Sequence, residues 1–134
     1  MKNLTASEMM IWGLVLHFMA DWPLQNHWMA VHKRNLKHPS GWLHAGFHGA
    51  LLFIVFGWFS VILAVSHLLI DTGKPVEWWS RTIRQTQPEG KQVEVGRFGS
   101  RQAYMPAWDI GTEVRLWTDQ VFHILAIAVI ALVA

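Results

Sequence analysis

Four times along this chain two metal-capable side chains stand four positions apart, in or beside an apolar run: His17/Asp21, His44/His48, His67/Asp71 and Asp119/His123. On a helix, positions i and i+4 lie on one face, one turn apart. Each pair can therefore present two ligands to the same point. Histidine and aspartate are costly to bury in an apolar helix and usually mark a functional site there. Four such pairs in 134 residues constrain the chain to a fold that brings four helices to one place.

The apolar residues come in blocks. Ala50 to Ser66 and Ile124 to Ala134 hold no charged residue. The charges sit in Lys33–Lys37 and in Lys74–Arg115, beside those blocks. That distribution resembles the positive-inside bias of a membrane protein. It lacks the dense basic stripe of a nucleic-acid binder, so the net charge of +2 implies no nucleic-acid partner. Several of the nine tryptophans flank apolar blocks, as interfacial anchors do. The first apolar run is interrupted by His17 and Asp21 and has no small-residue cleavage site after it. It reads as a membrane helix and not as a cleaved signal.

The expected architecture is an all-α, four-helix transmembrane bundle forming a single domain over 1–134. The helices fall at about 6–31, 41–56, 59–78 and 112–134, with a cytoplasmic insertion at 80–108. Thr5 or Ser7 caps the first helix, with Glu8 in its first turn. Pro23 kinks that helix or begins a short new one. Ser40 is the expected cap of the second. The run Trp42–Ile70, as one helix, would measure roughly 40 Å at 1.5 Å per residue, beyond a hydrocarbon core of roughly 30 Å. A hairpin turning near Gly57–Ser60 avoids this, although each arm is then short for a full span. The hairpin also puts both basic segments on one side, which the charge rule makes cytoplasmic. All four pairs then converge at the cytoplasmic end. In the insertion, Gln87-Pro88-Glu89-Gly90 is a turn signal, and Val93 and Val95 alternate with charged residues, consistent with a short β-hairpin through about Tyr104.

The pairs supply eight candidate metal ligands: His17, Asp21, His44, His48, His67, Asp71, Asp119 and His123. No cysteine is present, so a metal must be held by nitrogen and oxygen. Imidazole with carboxylate suits zinc first, then manganese or iron. Eight ligands exceed what one tetrahedral zinc uses. Either two ions bind, or one ion binds and some of these side chains orient ligands or, as Asp21, Asp71 or Asp119, supply a general base. Gln25 lies one turn beyond Asp21, and Lys74 follows Asp71; both are candidate substrate contacts. His27, His32 and His38 sit in polar sequence and are not expected to ligate. Each pair also has a structural reading. Asp119 near a helix start complements the helix dipole, and a lone histidine in an apolar helix is often simply hydrogen-bonded.

The ordered set resembles a functionally unassigned family of small bacterial and phage inner-membrane proteins. Its elements here are His17-Phe-Met-Ala-Asp21 with Leu24-Gln25, Trp42-Leu43-His44, His67-Leu-Leu-Ile-Asp71, and Asp119-Gln120-Val-Phe-His123. It is more loosely similar to inner-membrane metal-dependent hydrolases, which carry His-rich helices and an HxxxD. Together the resemblances imply a multi-pass protein of the bacterial inner membrane and a metal, without a substrate.

Three functions fit these residues. The first is a metal-dependent hydrolase at the cytoplasmic face, acting on an ester or phosphoester that is lipid-linked if the site lies at headgroup depth. The second is a non-catalytic phage or bacterial effector with a structural polar or metal cluster, docking a protein partner or a second copy through 80–108. The third, an ion or metal transporter, is disfavoured because Ser60 and Ser66 are the polar side chains between Ala50 and Ser66. Membrane lipids are the expected surroundings in each case.

Overall fold

The computed structural model describes residues 4–83 and 110–134, with side chains from 114 onward in the second segment. These residues form six helices: α1 Ala6–Asp21, α2 His27–His32, α3 Pro39–Phe56, α4 Phe59–Asp71, α5 Lys74–Thr82 and α6 Ile110–Val133. No strand occurs among the described residues. The expected β-hairpin lies outside them.

Local chemistry sets the boundaries. Thr5 caps α1 in a reciprocal capping box with Glu8. After Asp21 the chain leaves the helix at Trp22-Pro23, and Asn26 caps the short α2 by accepting from the Met29 N–H at 2.9 Å. Of the two expectations for Pro23 the second holds: the stretch 6–31 is not one kinked helix, and a short new helix follows, ending at His32. α3 begins one residue before the expected Ser40 cap. His38 is the cap, its Nδ1 accepting from the Ser40 N–H, and Pro39 takes a first-turn position where no N–H is needed.

The expected hairpin is present. α3 ends at Gly57, whose φ of +53° and ψ of −132° favour glycine, and α4 returns against α3. The helix expected over 59–78 breaks into α4 and α5, bent by 60°. Gly73 adopts φ +74°, a left-handed helix terminator, and Pro75 cannot donate to a continuing helix. α5 then crosses toward α6, where Trp79 meets Phe122 edge-on with ring centroids 6.0 Å apart.

The four longer helices pack in the ring order α1–α3–α4–α6. The bundle has two storeys. At one end Met9, Leu52, Phe56, Leu63, Ile127 and Ala131 form an apolar core. Gly13 permits this close packing, since a Cβ there would lie 2.8 Å from Ile127 Cγ2 and 2.9 Å from the Phe56 ring. At the other end the core is polar.

One helix, over Val114–Val133, is long and apolar enough to cross a membrane, and α4 with α5 qualifies as a bent pair. Four full spans are not seen among the described residues. α1 has 16 residues and α4 has 13, about 24 and 20 Å at 1.5 Å per residue, short of a roughly 30 Å hydrocarbon layer. Large apolar side chains nonetheless stand exposed along all four long helices, among them Ile11, Val15, Ile54, Val61, Val65, Leu125 and Val129.

Candidate metal centre

The polar storey is built by four helices. α1 brings His17 and Asp21, α3 His44 and His48, α4 His67 and Asp71, and α6 Gln120 and His123. All eight residues are 5% exposed or less. Antiparallel neighbours explain the convergence. Pairs near the C-termini of α1 and α4 meet pairs from the N-terminal and middle parts of α3 and α6. Five imidazoles crowd together, with His48 and His67 stacked at 3.5 Å between centroids and His67 and His123 tilted against each other at 4.2 Å.

The Asp21 carboxylate stands among these rings. Its Oδ1 lies 3.1 Å from His48 Nε2, 3.2 Å from His44 Nε2 and 3.7 Å from His67 Nε2. Its Oδ2 accepts from the Gln120 amide at 3.0 Å and lies 3.5 Å from His17 Nε2. Gln120 Oε1 is in turn 3.3 Å from His17 Nε2. Gln120 thus ties α1 to α6 through both ends of its amide.

Asp71 is the second centre. Its Oδ2 is 3.2 Å from His67 Nε2 and 3.4 Å from His44 Nε2. Its Oδ1 is 3.0 Å from Lys33 Nζ and 4.0 Å from His123 Nε2.

Hydrogen bonds account for the contacts of His44, His48 and Gln120 with Asp21, but not for the Nε2 atoms of His67 and His123. The His123 Nδ1–H donates to the Asp119 carbonyl at 3.0 Å. A neutral ring in that tautomer carries a lone pair on Nε2. Nε2 is buried without a hydrogen-bond partner and faces a carboxylate oxygen. His67 Nε2 is also buried without a hydrogen bond, although two carboxylates lie within 3.7 Å. At His123 that lone pair facing a carboxylate is repulsive until a cation stands between them. The spacings suit one. A tetrahedral ion with bonds near 2.0–2.1 Å has ligand–ligand edges of about 3.3 Å, close to the Asp21 contacts.

Two overlapping groups could hold a metal: Asp21, His44, His48 and His67, and His67, Asp71 and His123. Within each, the ligand atoms lie within 4.8 Å of one another. His67 belongs to both. Six of the eight sequence candidates fall in these groups. His17 stands beside Asp21 and Gln120, outside them. Asp119 turns to the edge, its carboxylate 3.7 Å from His123 Nδ1 and its side chain 20% exposed. On α6 the inward pair is Gln120 and His123, three apart.

A matching family model covers residues 9–134 and is described as a protein of unknown function, DUF3307. The chain belongs to the DUF3307 family. No curated protein and no solved structure matches it. The match to this DUF3307 chain spans both storeys and all four pairs, in keeping with the functionally unassigned family that the motifs resemble.

A cavity of about 450 Å³ opens above the centre, with Asp21 and Asp71 on its floor. Gln25 lines it, with Oε1 buried and unpartnered. Lys74 is exposed and does not line it. The cations at the cavity are instead Lys33, Arg34 and Arg115. Sequence reasoning missed these three and Gln120. Gln120 was visible as the residue three before His123, on the same helical face. Lys33 gave no local signal, because it reaches Asp71 only through the packing of α2 on α3. That packing is close. A Cβ on Gly41 would sit 2.8 Å from the Lys33 carbonyl oxygen. His32 and His38 stack on each other at 4.5 Å beside Trp28, apart from the centre.

Proposed function

We propose that the chain is a membrane-embedded, metal-dependent hydrolase of the bacterial inner membrane, its centre opening at the cytoplasmic face toward an ester or phosphoester. The observation that carries this reading is the pair of unpartnered, buried Nε2 atoms of His67 and His123 facing carboxylates beneath an open cavity. A structural site is closed, whereas a catalytic one keeps an accessible position.

Asp21, His44, His48 and His67 would hold one ion, and Asp71 with His123 would complete a second position or share the first. Zinc suits this donor set best, with manganese and iron as alternatives. A bound divalent ion supplies a low-pKa water and polarises an ester or phosphoryl oxygen. Asp119 lies on the cavity wall outside both groups, placed to take a proton as general base. Gln25 offers an unpaired amide oxygen to a substrate donor. Gln120 keeps Asp21 and His17 oriented.

The membrane setting is supported by α6 and by the large apolar side chains exposed along the flanks of the bundle. The short helices would sit in one leaflet or thin the bilayer locally. Lys33, Arg34 and Lys37 follow α2, while Lys74 and Arg81 lie on α5. These bases gather at the polar end, which supports a cytoplasmic orientation for it. Transport is disfavoured, since the other storey is apolar apart from Ser60 among the described residues.

The test is metal content of the detergent-purified protein beside a His67→Ala/His123→Ala variant, followed by assays on chromogenic phosphoesters and esters. About one or two equivalents of metal, lost in the variant, with metal-dependent hydrolysis, is the expected result. Bound metal without hydrolysis of either class would favour the structural-cluster reading. No metal in a folded protein, even after metal is added back, would overturn the centre itself.

A further inference from the structure

The cavity above the centre has a charge pattern that a neutral ester does not explain. Three carboxylates line it, Asp21, Asp71 and Asp119, and three cations, Lys33, Arg34 and Arg115. Glu77, paired with Arg115, adds a fourth carboxylate beside the lining, so the charges sum to −1 without a metal. A divalent ion at the floor would turn that sum to +1, which favours an anionic ligand.

The cations come from opposite walls. Lys33 follows α2, is held against α3 by the Gly41 contact, and reaches Asp71 Oδ1 at 3.0 Å with its side chain 18% exposed. Arg34 is the next residue and is exposed at the cavity. Arg115 stands on α6, with its guanidinium 3.6 Å from Glu77 on α5. Trp22, Trp42, Trp78 and Trp117 stand exposed toward the same end of the bundle. In a membrane, such a belt would put the cavity at headgroup depth.

We propose that Lys33, Arg34 and Arg115 form an anion subsite that seats the phosphate of the substrate, so that the substrate class is a phosphate ester. The inference rests on the hydrolase reading of this cavity. Arginine presents a planar fork to phosphate oxygens, and lysine adds a point charge. Lys33 would bridge the seated phosphate and Asp71, joining the subsite to the floor of the centre. A phosphate here could belong to a lipid headgroup or to a soluble ester.

The test uses the full chain in detergent, with metal content measured on every sample. Inorganic phosphate is titrated by calorimetry into wild type, Arg34→Ala, Arg34→Glu and Arg115→Glu, each with and without added zinc. Lys33 is left intact because its loss would also strip Asp71 of its partner. Arg34→Ala should weaken phosphate binding roughly tenfold or more, as loss of a charge-assisted hydrogen bond does, and the glutamate variants should weaken it further. Zinc content should stay unchanged. Nanodiscs containing phosphatidic acid are then added as competitor, against phosphatidylcholine as control. Competition by phosphatidic acid assigns the subsite to a lipid phosphate, and its absence with intact phosphate binding assigns it to a soluble ester. Phosphate binding equal to wild type in both glutamate variants, or no phosphate binding by wild type, overturns the subsite. If no metal binds yet phosphate binding still depends on Arg34, the subsite stands and the hydrolase reading alone fails.

Discussion

Gln120 offers the sharpest test of how the polar storey holds together. Replacing it with Met keeps the length and volume of the side chain and removes both polar atoms. Two buried contacts go: the amide N–H to Asp21 Oδ2 at 3.0 Å and the contact of Oε1 with His17 Nε2 at 3.3 Å. A hydrogen bond to a charged group contributes about 1.5–3 kcal/mol and a neutral one about 0.5–1.5 kcal/mol. His17 Nε2 is already 3.5 Å from Asp21 Oδ2 and can swing to it, recovering part of the loss. The expected net destabilisation is therefore about 2–3 kcal/mol. Because the amide also orients a metal-facing carboxylate, metal affinity should fall by roughly 10–100-fold. Denaturant unfolding in detergent, beside zinc titration with a competing chelator, reads both quantities. Unchanged zinc affinity together with an unchanged unfolding midpoint would refute the claim that Gln120 orients the centre.

His67 belongs to both metal groups, so His67→Ala should release all bound metal, whereas His48→Ala and His123→Ala each disturb one group. Metal analysis of the three variants checks this; equal loss in all three would mean a single shared ion. Gly41→Ala drives a Cβ to within 2.8 Å of the Lys33 backbone carbonyl, so it should cost about 1–3 kcal/mol by overpacking and displace Lys33 from Asp71. Thermal unfolding of this variant should show the loss, and an unchanged transition would speak against the tight α2–α3 contact. The chain has no cysteine, so single reporters at Lys37→Cys and Trp58→Cys can be labelled with a membrane-impermeant reagent. Lys37→Cys should react from the cytoplasmic side and Trp58→Cys from the opposite side, and labelling of both from one side would reject the proposed orientation.

Much of the site was legible because helix geometry is local. An i, i+4 pair shares a face whatever surrounds it, and three of the four pairs, on α1, α3 and α4, turn inward as whole pairs. The hairpin was legible from length and charge alone, since one helix over Trp42–Ile70 would have separated the basic segments. What failed was reading continuity through weak breakers. The bend at Gly73 and Pro75 divided the helix expected over 59–78, whereas at Pro23 a short new helix was one of two expectations and is the one that forms. On α6 spacing alone could not choose between neighbours. Asp119 is four before His123 and Gln120 three before, and both share its side of the helix, yet Gln120 is buried and Asp119 reaches the cavity wall.

By itself the sequence determined that the apolar blocks are helical, that the chain is free of thiol chemistry, and that imidazoles and carboxylates are paired one turn apart. Those properties follow from residue type and a period of 3.6, which need no neighbours. Only the tertiary structure decided that Asp21 and Asp71 would stand among five rings, that Gln120 would brace one of them, and that Lys33 would reach the other. Such contacts join residues as much as 99 positions apart, and their geometry depends on how closely glycines such as Gly13 and Gly41 let the helices approach.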